Sequence, residues 1–260
     1  MRFMAIDWSG AKRPAGKIWL AEAANGELRR TEALQSRDEA TLEIIRCCLT
    51  QPDLVVGLDF AFSMPHWFLK SQGLTTAFEL WALAELHGEQ WLQECSSPFW
   101  GRPGKRKPPS QGHYRRTEED IVRANRIAGI APKSCFQIGG AGAVGTGSIR
   151  GMPALRRIHE AGISIWQFDR PTFPLVVEIY PRLLTGPVKK TSATARAHFL
   201  DQRHPRLRPR FRSQAVQSED AFDAIVSALV MDQHRTELAA LRPITEAPYQ
   251  TEGLIWAPTR

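Results

Sequence analysis

The sequence predicts an α/β domain in which helices cover both faces of a mixed sheet. Short apolar runs that indicate buried strands alternate with amphipathic stretches of helical periodicity. Asn25-Gly26 joins two of these runs, as in an antiparallel hairpin. The chain has 260 residues, of which 43% are hydrophobic and 23% charged, so it can bury a sizeable core. We expect one domain over residues 1–260.

The first half of the chain supplies most of the predicted sheet. Residues 2–9, 17–24 and 27–34 are predicted strands, and the last two form the hairpin. Ser36 followed by Glu39 is typical of a helix start, and the helix that follows ends before Pro52. The apolar run at residues 53–62 predicts a strand buried on both faces. Residues 75–95 then predict a long helix.

The second half opens with a change of composition. Residues 96–150 are rich in Gly, Pro, Arg and Lys, with one predicted helix near residues 118–127, and we interpret them as an insertion within the domain. Residues 139–148, GGAGAVGTGS, lack the final Gly-Lys-Ser/Thr of a P-loop and are interpreted as a flexible connection. Further helices are predicted at residues 151–161, 193–202 and 219–234, and further strands at residues 163–168 and 175–180.

Charge and cysteine content narrow the class of partner and the compartment. Lys and Arg outnumber Asp and Glu by 34 to 27, a formal charge of +7 that favours a polyanionic partner such as DNA or RNA. The four cysteines show no zinc-binding spacing. The first residues include Asp7 and no long apolar run. We therefore expect no signal peptide, no membrane association and a cytoplasmic location.

Three predicted strands carry an acidic residue within or at the end of an apolar run. These residues are Asp7 in FMAIDWSG, Asp59 in VVGLDFAF and Glu178 in VVEIYP. Burying a carboxylate is costly unless it is paired or bound to a metal, and strand ends in such sheets lie close together. An Asx-turn at the strand end would explain Asp7 alone. The recurrence of the pattern favours one shared site.

Two further acids, Asp220 and Asp223, lie three residues apart at the start of the predicted helix 219–234. This spacing places both carboxylates on one face of the helix, although Asp220 alone is also a common helix-starting residue. The five acids together supply hard oxygen ligands, which suit Mg²⁺ or Mn²⁺. Which of Asp220 and Asp223 binds the metal stays open.

Several motifs resemble a known family. AIDWSG, GLDFAFSMP, VEIYP, DAFDAIVSAL and EGLIWAP, spread over residues 5–258, resemble family 429 of the domains of unknown function, which is described as predicted ribonuclease H-like nucleases. The late helix also resembles that of RuvC-type resolvases. The resemblance implies a ribonuclease H-like fold with a five-stranded mixed sheet and two-metal hydrolysis of phosphodiesters. The resemblance implies that the metal-binding acids are Asp7, Asp59, Glu178, Asp220 and Asp223. Of these, Glu178 matches only the VEIYP motif of family 429 and not the wider ribonuclease H-like superfamily.

A dense basic stretch at residues 101–116 holds six lysines and arginines together with Tyr114. We interpret it as a flexible arm that binds the phosphates of nucleic acid, with a plain solvated loop as the alternative. The candidate nucleic-acid-binding residues are Arg102, Lys105, Arg106, Lys107, Arg115 and Arg116. The leading function is a metal-dependent nuclease. The alternatives are an ATP-dependent phosphotransferase of the actin-like fold and a non-catalytic nucleic-acid-binding protein.

Overall fold

The computed structural model describes residues 1–109, 112–125, 127 and 131–259. In these ranges a single mixed sheet contains the strands β1 Arg2–Asp7, β2 Ile18–Ala24, β3 Glu27–Leu34, β4 Leu54–Leu58, β5 Ser164–Ile165 and β6 Leu175–Glu178. Their order across the sheet is β3-β2-β1-β4-β6-β5. Strand β2 is antiparallel to both neighbours, and the other pairs are parallel. The α/β class and the mixed sheet are confirmed. The sheet has six strands in the described ranges, not the five that the family resemblance implies, and the edge strand β5 lies within the strand predicted at residues 163–168.

The helices alternate with these strands along the chain. They are α1 Arg37–Thr50, α2 His66–Ser71, α3 Ala77–Glu94, α4 Arg116–Arg123, α5 Val144–Glu160, α6 Pro181–Thr185, α7 Ala193–Arg203, α8 Pro209–Gln217, α9 Glu219–Gln233, α10 Arg235–Ala239 and α11 Tyr249–Glu252. Helices α1, α3, α7 and α9 agree with the sequence predictions to within a few residues. Helix α4 covers much of the helix predicted at residues 118–127 but ends at Arg123. Residue 126 of that predicted range lies outside the described residues.

Alternating side chains of the strands form a core on each face of the sheet. Met4 and Ile6 of β1 pack on one face with residues of α1, α3 and α5. Phe3 and Ala5 point to the other face, where they pack with residues of α7, α8 and α9. Because successive strand residues point to opposite faces, β1 is apolar on both sides. Helices on both faces of the sheet are therefore confirmed.

Helix α9 lies directly against the centre of the sheet. A Cβ atom at Gly57 of β4 would lie 2.8 Å from the Met231 sulfur, so the close approach of α9 requires glycine there. The helix begins with Ser218, whose hydroxyl accepts a hydrogen bond from the Ala221 amide at 3.1 Å. Near its other end, Asp232 accepts a hydrogen bond from the Gly26 amide in the β2–β3 turn. The first turn of α9 therefore lies at the carboxyl end of β1.

Residues 139–148 differ from their predicted role as a flexible connection. Residues 144–148 form the start of α5, which packs against α1 and α3. A Cβ atom at Gly10 would lie 2.5 Å from the Gly147 amide nitrogen, so the loop after β1 is pressed against this first turn. Helix α5 thus begins inside the predicted insertion 96–150 and belongs to the layer that covers the sheet.

The four cysteines, Cys47, Cys48, Cys95 and Cys135, are free and buried. Within the ranges that the structure describes, no helix is long and apolar enough to cross a membrane.

Candidate metal centre

Asp7 and Asp59 lie side by side at the carboxyl ends of the two central strands. Strands β1 and β4 are parallel, and Ile6 is paired with Leu58. The residues that follow this pair, Asp7 and Asp59, are therefore neighbours. The Trp8 amide donates a hydrogen bond to Asp59 Oδ1 at 2.5 Å. Asp7 follows Phe3 and Ala5 in the alternation of β1 and faces the side of the sheet on which α9 packs. Both carboxylates are half-buried.

The first turns of α9 bring two more carboxylates to the same place. Asp220 is half-buried, and Asp223 is 7% exposed. The pKa of Asp7 is raised well above its ordinary value, first by burial and then by the negative charges of Asp59, Asp223 and Asp220. The structure therefore brings Asp7, Asp59, Asp220 and Asp223 together, and we call these four residues the aspartate cluster.

Every member of the aspartate cluster resists ionisation in the folded chain. Burial is the largest cause that raises the pKa of Asp59, Asp220 and Asp223, as it is for Asp7. The neighbouring carboxylates raise the pKa of Asp59 further, against the lowering effect of the Trp8 hydrogen bond. Closely spaced carboxylates in a poorly solvated recess favour either bound protons or a bound cation.

Lys190, in the loop between α6 and α7, supplies a positive charge to the aspartate cluster. Its ammonium group donates a hydrogen bond to Asp223 Oδ2. Its charge lowers the pKa of all four aspartates, although burial outweighs this effect. Arg196 fixes the loop, because its guanidinium group bonds the Lys190 carbonyl and the Ala215 carbonyl at the end of α8. Sequence reasoning missed Lys190, since nothing in PVKKTS separates it from a solvated lysine.

The donor atoms of the aspartate cluster fit a hard divalent cation. All of them are carboxylate oxygens, the ligands that suit Mg²⁺ and Mn²⁺. Asp223 Oδ1 is buried and has no hydrogen-bond partner in the described part of the chain. Among the described residues, however, no group of three or more His, Cys, Asp and Glu side chains is already arranged to hold a metal ion. Lys190 holds the second oxygen of Asp223 and the Trp8 amide holds one oxygen of Asp59, so two of the cluster's carboxylate oxygens are already engaged.

Glu178 lies apart from the aspartate cluster. It is paired with Leu58 of β4 and points to the same face as that residue, opposite to the face of Asp7. Glu178 is 2% exposed, and its Oε2 atom accepts a hydrogen bond from the Phe62 amide at 3.0 Å. The strand alternation therefore separates Glu178 from the four aspartates, and we exclude it from the proposed metal ligands.

Arg115 is the partner of Glu178 and is not available to nucleic acid. It is 1% exposed and contacts Glu178 through Nη1 at 2.9 Å and Nη2 at 2.5 Å. Its Nε and Nη2 atoms bond Glu118 at 2.9 and 2.6 Å, and Nη1 also reaches the Glu252 carbonyl at 3.0 Å. The predicted phosphate-binding role of Arg115 is wrong, because this side chain is buried in ion pairs.

The remaining cations of the basic stretch are distributed between a helix start and an exposed loop. Arg116 is 42% exposed and forms an ion pair with Asp120 at 3.1 Å. The side chains of four residues are exposed and have no ion pair recorded in the described ranges, and we call them the basic loop: Arg102, Lys105, Arg106 and Lys107. Ser110 and Gln111, also in the predicted arm, lie outside the described residues.

The basic loop is connected by a series of packed contacts to the loop that follows Asp7. Trp100, just before it, is bonded through its backbone to Phe136 at 3.1 Å and Ile138 at 2.9 Å. The next link is the hydrogen bond from the Gly145 amide in α5 to the Gln137 carbonyl, at 3.0 Å. The first turn of α5 in turn contacts Gly10, three residues after Asp7. These packed contacts join the residue before the basic loop, through α5, to the loop that follows β1.

The fold and site define an α/β protein whose central strands carry an aspartate cluster and which also has an exposed basic loop. No family model, curated protein or solved structure matches the chain. The resemblance to family 429 of the domains of unknown function stays a prediction based on the motifs.

Proposed function

We propose that this chain is a Mg²⁺- or Mn²⁺-dependent nuclease of the ribonuclease H-like fold, acting on the phosphodiester bonds of DNA or RNA. The observation that carries the proposal is the aspartate cluster: Asp7 and Asp59 from adjacent strand ends meet Asp220 and Asp223 from the first turns of α9. A cluster of this kind on one side of a sheet has few structural uses, because its members repel one another.

The order of the elements supports the ribonuclease H-like part of the proposal. An aspartate ends the first strand, a hairpin and helix α1 follow, and a second aspartate comes directly after β4. Helix α9, late in the chain, then supplies a pair of aspartates three residues apart. This order of aspartates along the elements supports the proposal of a ribonuclease H-like fold.

The four aspartates have different surroundings, which suggests different tasks. Asp7, Asp59 and Asp220 are half-buried and keep some solvent exposure, so these three carboxylates are better placed than Asp223 to face a substrate. Asp223 is more deeply buried, and its Oδ1 atom has no hydrogen-bond partner among the described residues, so this oxygen is suited to anchor a cation. When bound, a divalent cation polarises phosphoryl oxygens and lowers the pKa of a coordinated water, which is the chemistry that phosphodiester hydrolysis needs.

The basic loop supports a polyanionic substrate. Its four cations are exposed, and packed contacts through α5 connect it to the loop that follows Asp7. Lys107 Nζ lies 5.9 Å from the ring centre of Trp100 and 5.4 Å from that of Tyr114, so aromatic faces accompany the charge. Cations with adjacent aromatic rings are typical of surfaces that track a nucleic-acid strand.

The proposal is tested by incubating the purified chain with single-stranded DNA, duplex DNA, branched DNA and RNA, each with Mg²⁺, Mn²⁺ or EDTA. We expect cleavage of at least one substrate with metal and none with EDTA or in the Asp7→Asn variant. Asp38→Asn is the matched control, because Asp38 is an exposed surface residue paired with Arg157. Metal-independent cleavage, or cleavage by Asp7→Asn at the wild-type rate, would contradict the proposal. Binding without any turnover would favour the non-catalytic alternative.

A further inference from the structure

Lys190 stands where a cation of the aspartate cluster would be expected. Its side chain is 13% exposed, that of Asp223 is 10% exposed, and the two are hydrogen-bonded. The other oxygen of the same carboxylate, Asp223 Oδ1, is buried without a partner among the described residues. One carboxylate therefore holds an ammonium group on one side and leaves an unsatisfied oxygen on the other. An unsatisfied buried oxygen of this kind is costly and indicates a missing ligand.

We propose that Lys190 is an exchangeable counter-ion of the aspartate cluster, which releases Asp223 when a divalent cation binds there. The inference rests on the proposed metal site and adds a residue to it that the family resemblance did not include. In the metal-free chain the ammonium group offsets part of the negative charge. In the metal-bound chain the cation takes over Asp223, and the lysine side chain turns away.

The surroundings of Lys190 favour exchange over permanent pairing. Its backbone is held in place, because Arg196 bonds its carbonyl oxygen and is itself bonded to the end of α8. Exchange therefore needs only the side chain to move, and a lysine stem with four rotatable carbons permits this. Mg²⁺ demands near-ideal geometry from its oxygen ligands, and a carboxylate tied to an ammonium group is not free to supply it.

The exchange predicts that Lys190 weakens metal binding. Lys190→Met removes the charge and keeps the length of the side chain. A hydrogen bond between charged groups corresponds to roughly a tenfold or greater change in an equilibrium constant. We therefore expect Lys190→Met to bind Mn²⁺ about tenfold or more tightly than the wild type. Lys189→Met is the matched control, because Lys189 is the exposed neighbouring lysine and should leave the affinity unchanged.

The experiment is a titration of the full chain with Mn²⁺ in the absence of substrate. The electron paramagnetic resonance signal of free Mn²⁺ measures how much of the ion is bound. The same titration in an Asp223→Asn background separates local exchange from a general charge effect. If Lys190 acts by holding Asp223, Lys190→Met should tighten binding in the wild-type background and have little effect beside Asp223→Asn. An equal gain in both backgrounds would overturn the exchange, because the effect would then be a long-range charge effect.

Two further measurements keep the inference testable. Lys190→Arg retains the positive charge and should bind Mn²⁺ about as weakly as the wild type, so tight binding by this variant would also overturn the exchange. In a ¹⁵N spectrum of the lysine side chains, the Lys190 ammonium should be protected from solvent without metal and lose this protection when Mg²⁺ is added. Unchanged protection at saturating Mg²⁺ would contradict the proposal.

The failure of this inference and the failure of the proposed function give different results. If the wild type and Lys190→Met both bind no Mn²⁺, the metal site itself is absent and the proposed function fails. If both bind Mn²⁺ with the same affinity as Lys189→Met, the metal site stands and only the exchange by Lys190 is overturned.

Discussion

Arg115 and Glu178 form a buried, two-point ion pair at the end of β6, with nitrogen–oxygen distances of 2.9 and 2.5 Å. The pair joins residues 63 positions apart in the sequence. Its position explains why a carboxylate at the end of an apolar strand does not have to be a metal ligand. A carboxylate there requires a positive partner, and a buried guanidinium meets that requirement as well as a metal does.

Removal of Glu178 should cost stability and leave metal binding intact. Glu178→Ala deprives Arg115 of two of its hydrogen bonds in a buried setting, and breaking a buried ion pair in this way costs roughly 3 kcal/mol or more. Urea unfolding measures the loss. Glu85→Ala is the control, because its ion pair with Arg156 is exposed and should contribute no more than about 1 kcal/mol. Loss of Mn²⁺ binding in a folded Glu178→Ala variant would return Glu178 to the metal ligands.

Asp7→Asn should have the opposite effect on stability. The substitution keeps the volume of the side chain and removes one of four mutually repelling carboxylates, whose pKa burial and neighbouring charges raise. In EDTA we expect the melting temperature to rise by roughly 2–4 °C, the shift that corresponds to about 1 kcal/mol in a chain of this size. Differential scanning calorimetry provides the measurement. A lower melting temperature than that of the wild type would show that Asp7 is well stabilised as an anion.

The stabilisation by Asp7→Asn should depend on pH in a defined direction. Because the pKa of Asp7 is higher in the folded chain than the ordinary value of 3.8, the folded state retains a proton that the unfolded state loses as pH rises. As the pH rises above about 4, the wild type therefore loses stability relative to Asp7→Asn. The loss continues until the pH reaches the pKa of Asp7 in the folded chain and then stops growing. Melting-temperature differences measured in EDTA from about pH 4 to about pH 8 should grow with pH. A constant difference would mean that this pKa is not raised.

The basic loop should contribute to nucleic-acid affinity through its charge. Neutralising Lys105, Arg106 and Lys107 to glutamine should weaken binding of many sequences alike and flatten the salt dependence by roughly one unit per lost phosphate contact. Fluorescence anisotropy at several salt concentrations measures both effects.

A charge-matched control for the basic loop is available at the other end of α9. Arg203, Arg206 and Arg210 are exposed, and the first two line a recess beside Gln233, the last residue of α9. Ten residues of helix separate Gln233 from Asp223, a distance of about 15 Å. Neutralising Arg203, Arg206 and Arg210 changes the net charge by the same amount as neutralising Lys105, Arg106 and Lys107. It should weaken nucleic-acid binding less than the basic-loop variant does. Equal weakening by both triple variants would mean that total charge, and not the basic loop, determines affinity.

The sequence predicts those parts of the molecule that local patterns determine. The strands β1 to β4 and the helices α1, α3 and α9 follow from apolar periodicity and capping residues. The spacing of Asp220 and Asp223 places both at one site for the same reason. Helix α8, PRFRSQAVQ, was missed because it is short and mostly polar, with only Phe211 and Ala215 buried.

The remaining features depend on long-range register and packing. Glu178 was wrongly assigned to the metal site because the sequence does not show the register between β4 and β6. Glu178 pairs with Leu58 and not with Asp59, and a shift of one residue moves a side chain to the other face of the sheet. Arg115 cannot be told from Arg106 by its neighbours in the sequence, since its partners are brought to it by the fold. The contact between Lys190 and Asp223 has the same origin.

The hydrogen bond from Arg115 to the Glu252 carbonyl can form only after residue 252 has been synthesised, so this part of the fold is completed late during synthesis of the chain. The Trp256 amide also bonds the Glu178 carbonyl, at 2.8 Å, so the end of β6 is covered by residues that lie far later in the chain than β6. A ribosome-bound chain that lacks these residues has Arg115 and Glu178 without their final cover. The central strands can pair early, but the buried charges beside them are enclosed only when Glu252 and Trp256 have emerged. Premature termination shortly before residue 252 would therefore leave a nearly complete sheet with an open, charged edge, which quality-control proteases could recognise.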